Sequence, residues 1–211
     1  MGPKRAPEGK SVAVMLAPKT ASQVAYYISA MGAIGVLAPR DWNCFGTYGS
    51  NGDALYVSPQ PIDRAKLFST DQSGFTGPVI ELAQSIGDTS GRFTVADIIA
   101  RVFPAFRDFA THVMSESNPP FQKYTFRPYP EDVLTYKSKT VVEYQTPANA
   151  EGLGTQSRLK KNASPIEGVA ILIGDTPDAL LLSVRLPPGL AGLAPAIVQR
   201  VEHDAAGLPS Q

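Results

Sequence analysis

Cysteine is almost missing from this chain, and that scarcity excludes more chemistry than any motif present supports. Cys44 stands alone, so no intrachain disulfide can form. With only two histidines, His112 and His203, a zinc site of the usual Cys/His kind lacks ligands. An excess of one charge is missing too: Lys and Arg number 19, Asp and Glu 19. The broad basic footprint of a nucleic-acid or anionic-membrane binder is therefore absent. No apolar run approaches the roughly 18–20 residues of a membrane-spanning helix. Ser11–Leu16 is too short for the apolar region of a signal peptide.

What is present is an ordinary globular composition rich in breakers. Apolar residues are 43% and charged residues 18%, which excludes a disordered chain or a coiled coil. Proline (19) and glycine (18) predict many turns and a loop-rich fold. The 211 residues suffice for a sizeable core and suggest one domain, 11–211, behind a flexible leader, 1–10.

Periodicity supplies the elements. Thr20 and Gln23 have capping-box spacing, and Val24, Ile28, Met31 and Ile34 then recur at helical intervals. With Gly32 and Gly35 as stops, this predicts a helix over 21–33. The pair Asn51-Gly52 suits a type I′ turn between strands at Trp42–Tyr48 and Ala54–Ser58. Trp42, Cys44 and Tyr48 then share one face, and Asn43, Phe45 and Thr47 the other. Beyond a polar segment over 60–76, Val79–Gln84 reads as a strand. Thr94 with Asp97 reads as a helix start, followed by the stripe Ile98, Val102, Phe106, Phe109 and Val113. Pro104 must kink or divide that helix. Val133–Tyr144 is β-like. Gly168–Ile173 and Leu180–Leu186 are near-continuous apolar runs, as in strands covered on both faces. A helix over Pro195–His203, with Leu193, Ile197 and Val201 as its stripe, closes the chain. The expected class is α+β: a mostly antiparallel sheet of about five or six strands with three helices packed on it.

Between the last strands lies Thr146–Ser164, a long polar stretch. Connections of that length are usually functional or disordered. Glu151-Gly152-Leu153-Gly154-Thr155 lacks the third glycine of a dinucleotide fingerprint, yet its backbone could form an anion-binding concavity beside Arg158, Lys160 and Lys161. Ser157-Arg158-Leu159-Lys160 matches Ser-x-x-Lys, in which a helix brings a lysine onto a nucleophilic serine. Ser50 lacks the nucleophile-elbow pattern and reads as β-turn. Asp108 and His112 form an i,i+4 pair that reads as surface, and Cys44 as a small buried side chain. Tyr124, Phe126 and Tyr129, interleaved with Lys123 and Arg127, read as apolar packing of an extended linker. No metal and no cofactor is assigned.

Three stretches, Leu37–Pro59, Val142–Leu159 and Pro165–Leu186, resemble an uncharacterised family of bacterial proteins, many of them exported. The resemblance implies a periplasmic or secreted location, with the cytoplasm as the other case. At the level of fold the chain is also similar to the antiparallel Mog1/PsbP-type sandwiches.

The expected function is a non-catalytic binding or interaction protein of the bacterial envelope. Its recognition surface would be the 146–164 loop with the 42–58 hairpin, because loops on a rigid sheet commonly do this work. Arg158, Lys160 and Lys161 would contact an acidic partner protein or small anionic ligand, and Gly152 and Gly154 would allow close backbone approach. Asn149, Glu151, Thr155, Gln156, Tyr48 and Asn51 complete that surface. The alternative is an envelope hydrolase or acyltransferase with Ser157 as nucleophile and Lys160 as base.

Overall fold

The computed structural model describes residues 18–29, 35–63, 74–116 and 123–208. The leader expected over 1–10 and most of the polar segment expected over 60–76 lie outside the described residues.

The chain is α+β, built on one large antiparallel sheet. Strands β3 (Asn43–Gly49), β4 (Gly52–Ser58), β5 (Val79–Ser85), β6 (Val133–Tyr136), β7 (Val141–Thr146), β8 (Ile166–Ile173) and β9 (Asp178–Arg185) are ordered β3-β4-β5-β9-β8-β7-β6. A separate two-stranded sheet pairs β1 (Val24–Ile28) with β2 (Gly35–Pro39). The described helices are α1 (Pro18–Gln23), α2 (Arg92–Val102), α3 (Arg107–Ser115) and α4 (Ala194–Ala206).

Three expectations are corrected. The helix expected over 21–33 stops at Gln23, and Val24–Ile28 continues as β1; residues 30–34 lie outside the described set. The segment VAYYI is rich in β-branched and aromatic side chains, which suit a strand as well as its spacing suits a helix, and pairing with the wholly buried β2 decides between the two. The strand count rises because 133–144 folds into two strands and β1 and β2 form a second sheet. Lys137 and Ser138 both donate their N–H to Val141 O, turning the chain over. The helix count rises because Pro104 divides α2 from α3 through a short 3-10 turn, the outcome proline allowed for.

The first hairpin is also one residue out of its expected register. Gly49 pairs with Gly52, so Ser50 and Asn51 form the turn in place of Asn51-Gly52. Glycine is needed at 52 itself, where φ is +134° and a Cβ would overlap the Gln84 carbonyl of the neighbouring strand.

The sheet is covered on both faces, which explains the apolar runs of β8 and β9. One face carries Leu55, Ile80, Val169, Leu182 and Val184 against Ile197 and Val201 of α4 and Val36 of β2. The other carries Val142, Ala170, Leu172, Ala179 and Leu181 against Val95, Ile99 and Phe103 of α2. On this second face the connection 147–165 returns over the sheet as a strap. Among the described residues no helix is long and apolar enough to cross a membrane.

Candidate functional site

The strap is folded down by its own apolar residues. Leu153 and Leu159 are fully buried, and Ala150 nearly so. Leu153–Gln156 form a 3-10 turn. Asn149 adopts φ 63°, a conformation asparagine tolerates, and its N–H donates to Asn162 O at 2.7 Å, closing the strap's base. Leu159 bridges Phe75 in parallel: Phe75 N–H donates to Arg158 O and Lys160 N–H to Phe75 O. Buried Arg185 reaches from β9 to the carbonyls of Phe75 and Lys160, securing this junction.

The anion-binding concavity expected at Gly152–Thr155 is filled by the protein itself. Asp132 accepts the Leu153 N–H and the Thr146 hydroxyl, each at 2.7 Å, and Thr146 Oγ1 accepts the Gly154 N–H at 3.1 Å. Burial raises the Asp132 carboxyl above its ordinary range, against these hydrogen bonds. Gly152 and Gly154 serve this internal seal, not the approach of a ligand. A side chain at 152 would overlap Asp132 and Thr146, and one at 154 would meet Ile166 at 2.7 Å.

Beneath the strap a polar row crosses five strands: Tyr56, Glu81, Ser183, Gly168 and Tyr144 stand at successive cross-strand positions. Gly168 leaves room for the Tyr144 ring, whose hydroxyl reaches Ser183 Oγ at 2.7 Å and Leu182 O at 2.8 Å. Glu81, 4% exposed, accepts the Arg158 N–H at 2.8 Å. Burial pushes its carboxyl up to about 7, opposed by the Arg158 N–H and charge and by the Ser157 hydroxyl. Burial likewise raises Tyr56 and Tyr144.

Where the strap meets α2 it leaves a cleft of about 380 Å3. That is within the size range of small-molecule sites. Phe93, Ile98 and Leu181 supply apolar wall; Thr94, Asp97, Tyr124 and Gln156 supply polar groups, and Lys123 lies at the exposed edge. Gln156 Nε2 donates to Asp97 Oδ2 at 2.8 Å, while Gln156 Oε1 is buried with no partner among the described residues. Burial raises the Asp97 carboxyl, with the Arg101 charge opposing. Burial, with the nearby Asp97 and Glu116 carboxylates, pushes the Tyr124 phenol up to about 12. The lining offers hydrogen bonds and apolar contact, and neither histidine nor cysteine.

The residues picked out from the sequence separate accordingly. Gln156 enters the cleft. Thr155 turns back on the strap, its hydroxyl accepting the Gly152 N–H at 2.9 Å. Glu151 and Lys161 pair with each other at 2.9 Å on the exposed side, which lowers the Glu151 carboxyl. Arg158 gives its N–H to Glu81, and its side chain is exposed beside Tyr56. Ser157 caps the turn, donating to Gly154 O at 2.6 Å and accepting the Leu159 N–H at 3.1 Å. Lys160 lies on the extended junction, its chain running along Gly74. The helix that Ser-x-x-Lys chemistry requires is absent at this place.

Tyr48 and Asn51 are exposed at the end of the sheet shared with Ser85, whereas the strap springs from Thr146 and Ile166 at the opposite end. Loop and hairpin tip therefore do not form one surface. Asp97, Asp132 and Glu81 were not picked out from sequence. Asp97 looked like a capping residue, but α2 begins two residues before Thr94, at Arg92. Tyr124, Phe126 and Tyr129 pack as an extended linker, with Arg107 over Phe126 and Arg101 over Tyr129. Among the described residues no three or more His, Cys, Asp or Glu converge as a metal site.

Comparison with known proteins gives no significant match to a family model, a curated protein or a solved structure.

Proposed function

We propose that this chain is a non-catalytic binding protein that holds a small molecule in the cleft between α2 and the strap. The observation that carries this reading is the Gln156–Asp97 hydrogen bond. Through it a loop otherwise sealed to the sheet contributes a polar side chain to a concave, mixed apolar and polar cleft. Clefts with a few convergent polar groups on rigid walls are the usual form of ligand sites. An envelope location for this role is supported by the resemblance of Leu37–Pro59, Val142–Leu159 and Pro165–Leu186 to exported bacterial proteins.

The test is a fragment screen by 15N–1H correlation spectra on the full chain. Hits should shift the amides of Thr94, Asp97 and Gln156. Thr94→Trp, which fills the cleft from an exposed position, should abolish those shifts without lowering Tm. Hits clustering elsewhere, or surviving in Thr94→Trp, would reject the cleft.

A further inference from the structure

The large sheet ends on two outer strands, β3 and β6. The register of β6 against β7 is regular, and Lys137, next along it, donates its N–H to Val141 O. Antiparallel pairing alternates, so Val133 and Thr135 also turn their backbone groups towards β7, while Leu134 and Tyr136 turn theirs outward. Those outward N–H and C=O groups line an edge that no described strand pairs with. Such an edge is a template for another strand, and proline or a bulge is a usual guard against it. β6 has neither. Val133 and Tyr136 are 59% and 52% exposed, so two of the four large exposed apolar side chains among the described residues stand on this one short strand. Charges of opposite sign flank it, Glu131 before and Lys139 after. Both are exposed, and neither forms an ion pair among the described residues.

We propose that β6 is the docking strand for β6 of a second copy of this chain, antiparallel about a twofold axis between the two Thr135 residues. In that register Leu134 of each copy exchanges both hydrogen bonds with Tyr136 of the other, which uses every outward group of the strand. Leu134 and Tyr136 share the face on which Leu134 packs against the core. Each Tyr136 ring then covers the other copy's half-buried Leu134, an aromatic–aliphatic cross-strand pair. The same register brings Glu131 to Lys139 of the other copy, twice. Moving the axis to Leu134 would set Glu131 against Lys137, which Glu143 already holds at 3.1 Å, and would call on Asp132, whose N–H is given to Tyr129 O. Acid at one end and base at the other make the strand complementary to itself only when antiparallel, and this identifies the occupant as a second copy. β3, NCFGTYG, carries no charge to select a partner in this way. Because β6 has only four residues, the contact belongs with the small, weak interfaces, with dissociation on the order of 0.1 mM.

The experiment is sedimentation equilibrium of the full chain from about 10 μM to about 1 mM, where wild type should show a monomer–dimer equilibrium. Glu131→Lys and Lys139→Glu, both at exposed positions, should each weaken it about tenfold, since each turns two attractions into two repulsions. The double variant Glu131→Lys/Lys139→Glu restores both pairs in reverse and should recover wild-type association. Tyr136→Pro removes an outward N–H from each copy without touching the β7 ladder and should abolish the dimer, with spectral dispersion and Tm as checks on folding. A chain that stays monomeric throughout overturns the proposal. Protection of the Leu134 and Tyr136 amides from exchange in such a monomer would assign the edge to another segment of this chain instead. A dimer untouched by a folded Tyr136→Pro overturns it as well, by placing the contact elsewhere. If Tyr136→Pro does not fold, the charge variants decide alone: single reversals without effect, or no recovery in the double variant, overturn the twofold pairing.

Discussion

The Glu81 carboxylate accepts the backbone N–H of Arg158 at 2.8 Å, tying the middle of β5 to a strap that follows it by 77 residues. A buried acid thus forms the underside of the segment whose neighbouring residue, Gln156, walls the cleft. Four expectations follow from this arrangement and its surroundings.

The first concerns pH. Glu81 moves from 4.5 in the open chain to about 7 in the fold, so the folded protein retains a proton that the unfolded chain releases. The stability contributed is complete below about 4.5 and is lost as pH rises through about 7. The loss amounts to about 3 kcal/mol over the whole window. Glu81→Gln keeps an acceptor for Arg158 and removes the titration. Urea unfolding at pH 5 and pH 8 should show wild type losing ground to Glu81→Gln at the higher pH. A constant difference between the two proteins would mean that Glu81 does not titrate in this window.

Asp132 gives the second. Asp132→Ala deprives the Leu153 N–H and the Thr146 hydroxyl of their acceptor and should cost about 2–3 kcal/mol. Amide exchange at Leu153 and Gly154 should accelerate more than exchange in β8 and β9. Uniform acceleration would indicate that the strap and sheet open as one unit.

Gly168→Ala is the third. The added methyl would overlap Leu182 O and press on the Tyr144 ring at 2.7 Å. Both neighbours are buried and one is backbone, so relief requires moving a strand. A loss of more than about 3 kcal/mol, or failure to accumulate soluble protein, is expected. Near-native Tm would show that the β8–β9 pairing yields more easily than its burial implies.

The fourth bears on the serine. Because Ser157 Oγ donates to Gly154 O, accepts the Leu159 N–H and lies beside the Glu81 carboxyl, with no lysine paired to it among the described residues, the intact protein should take up no fluorophosphonate or β-lactam adduct by mass. Ser157→Ala should cost about 1 kcal/mol through the lost turn hydrogen bonds. An adduct mapped to Ser157 would revive the hydrolase reading.

Some of the fold was legible because local pattern and burial agree. The apolar runs of β8 and β9 could belong only to strands covered on both faces, and α4 keeps its buried Ile197 and Val201. Pro104 divides the helix where its missing N–H requires. The stretch Val24–Ile28 was not legible, since its residues suit both a strand and a helix and its partner strand settles the choice. The strap was visible as a long polar loop, yet its polarity concealed how its groups are used. Its backbone donors meet Asp132 and Glu81, which lie 21 and 77 residues from the groups they bind.

Composition and pattern by themselves determined the class of this protein: α+β, no intrachain disulfide, no strong charge of either sign, a long loop before two central strands. Those are properties of local sequence and of totals, and no tertiary contact alters them. Only the tertiary structure decided which polar side chains satisfy one another. Asp132 fills the cradle, Glu81 holds Arg158, and Asp97 accepts from Gln156. The physical reason is that hydrogen-bond satisfaction is settled among groups brought together by the fold, and spacing along the chain carries no record of it.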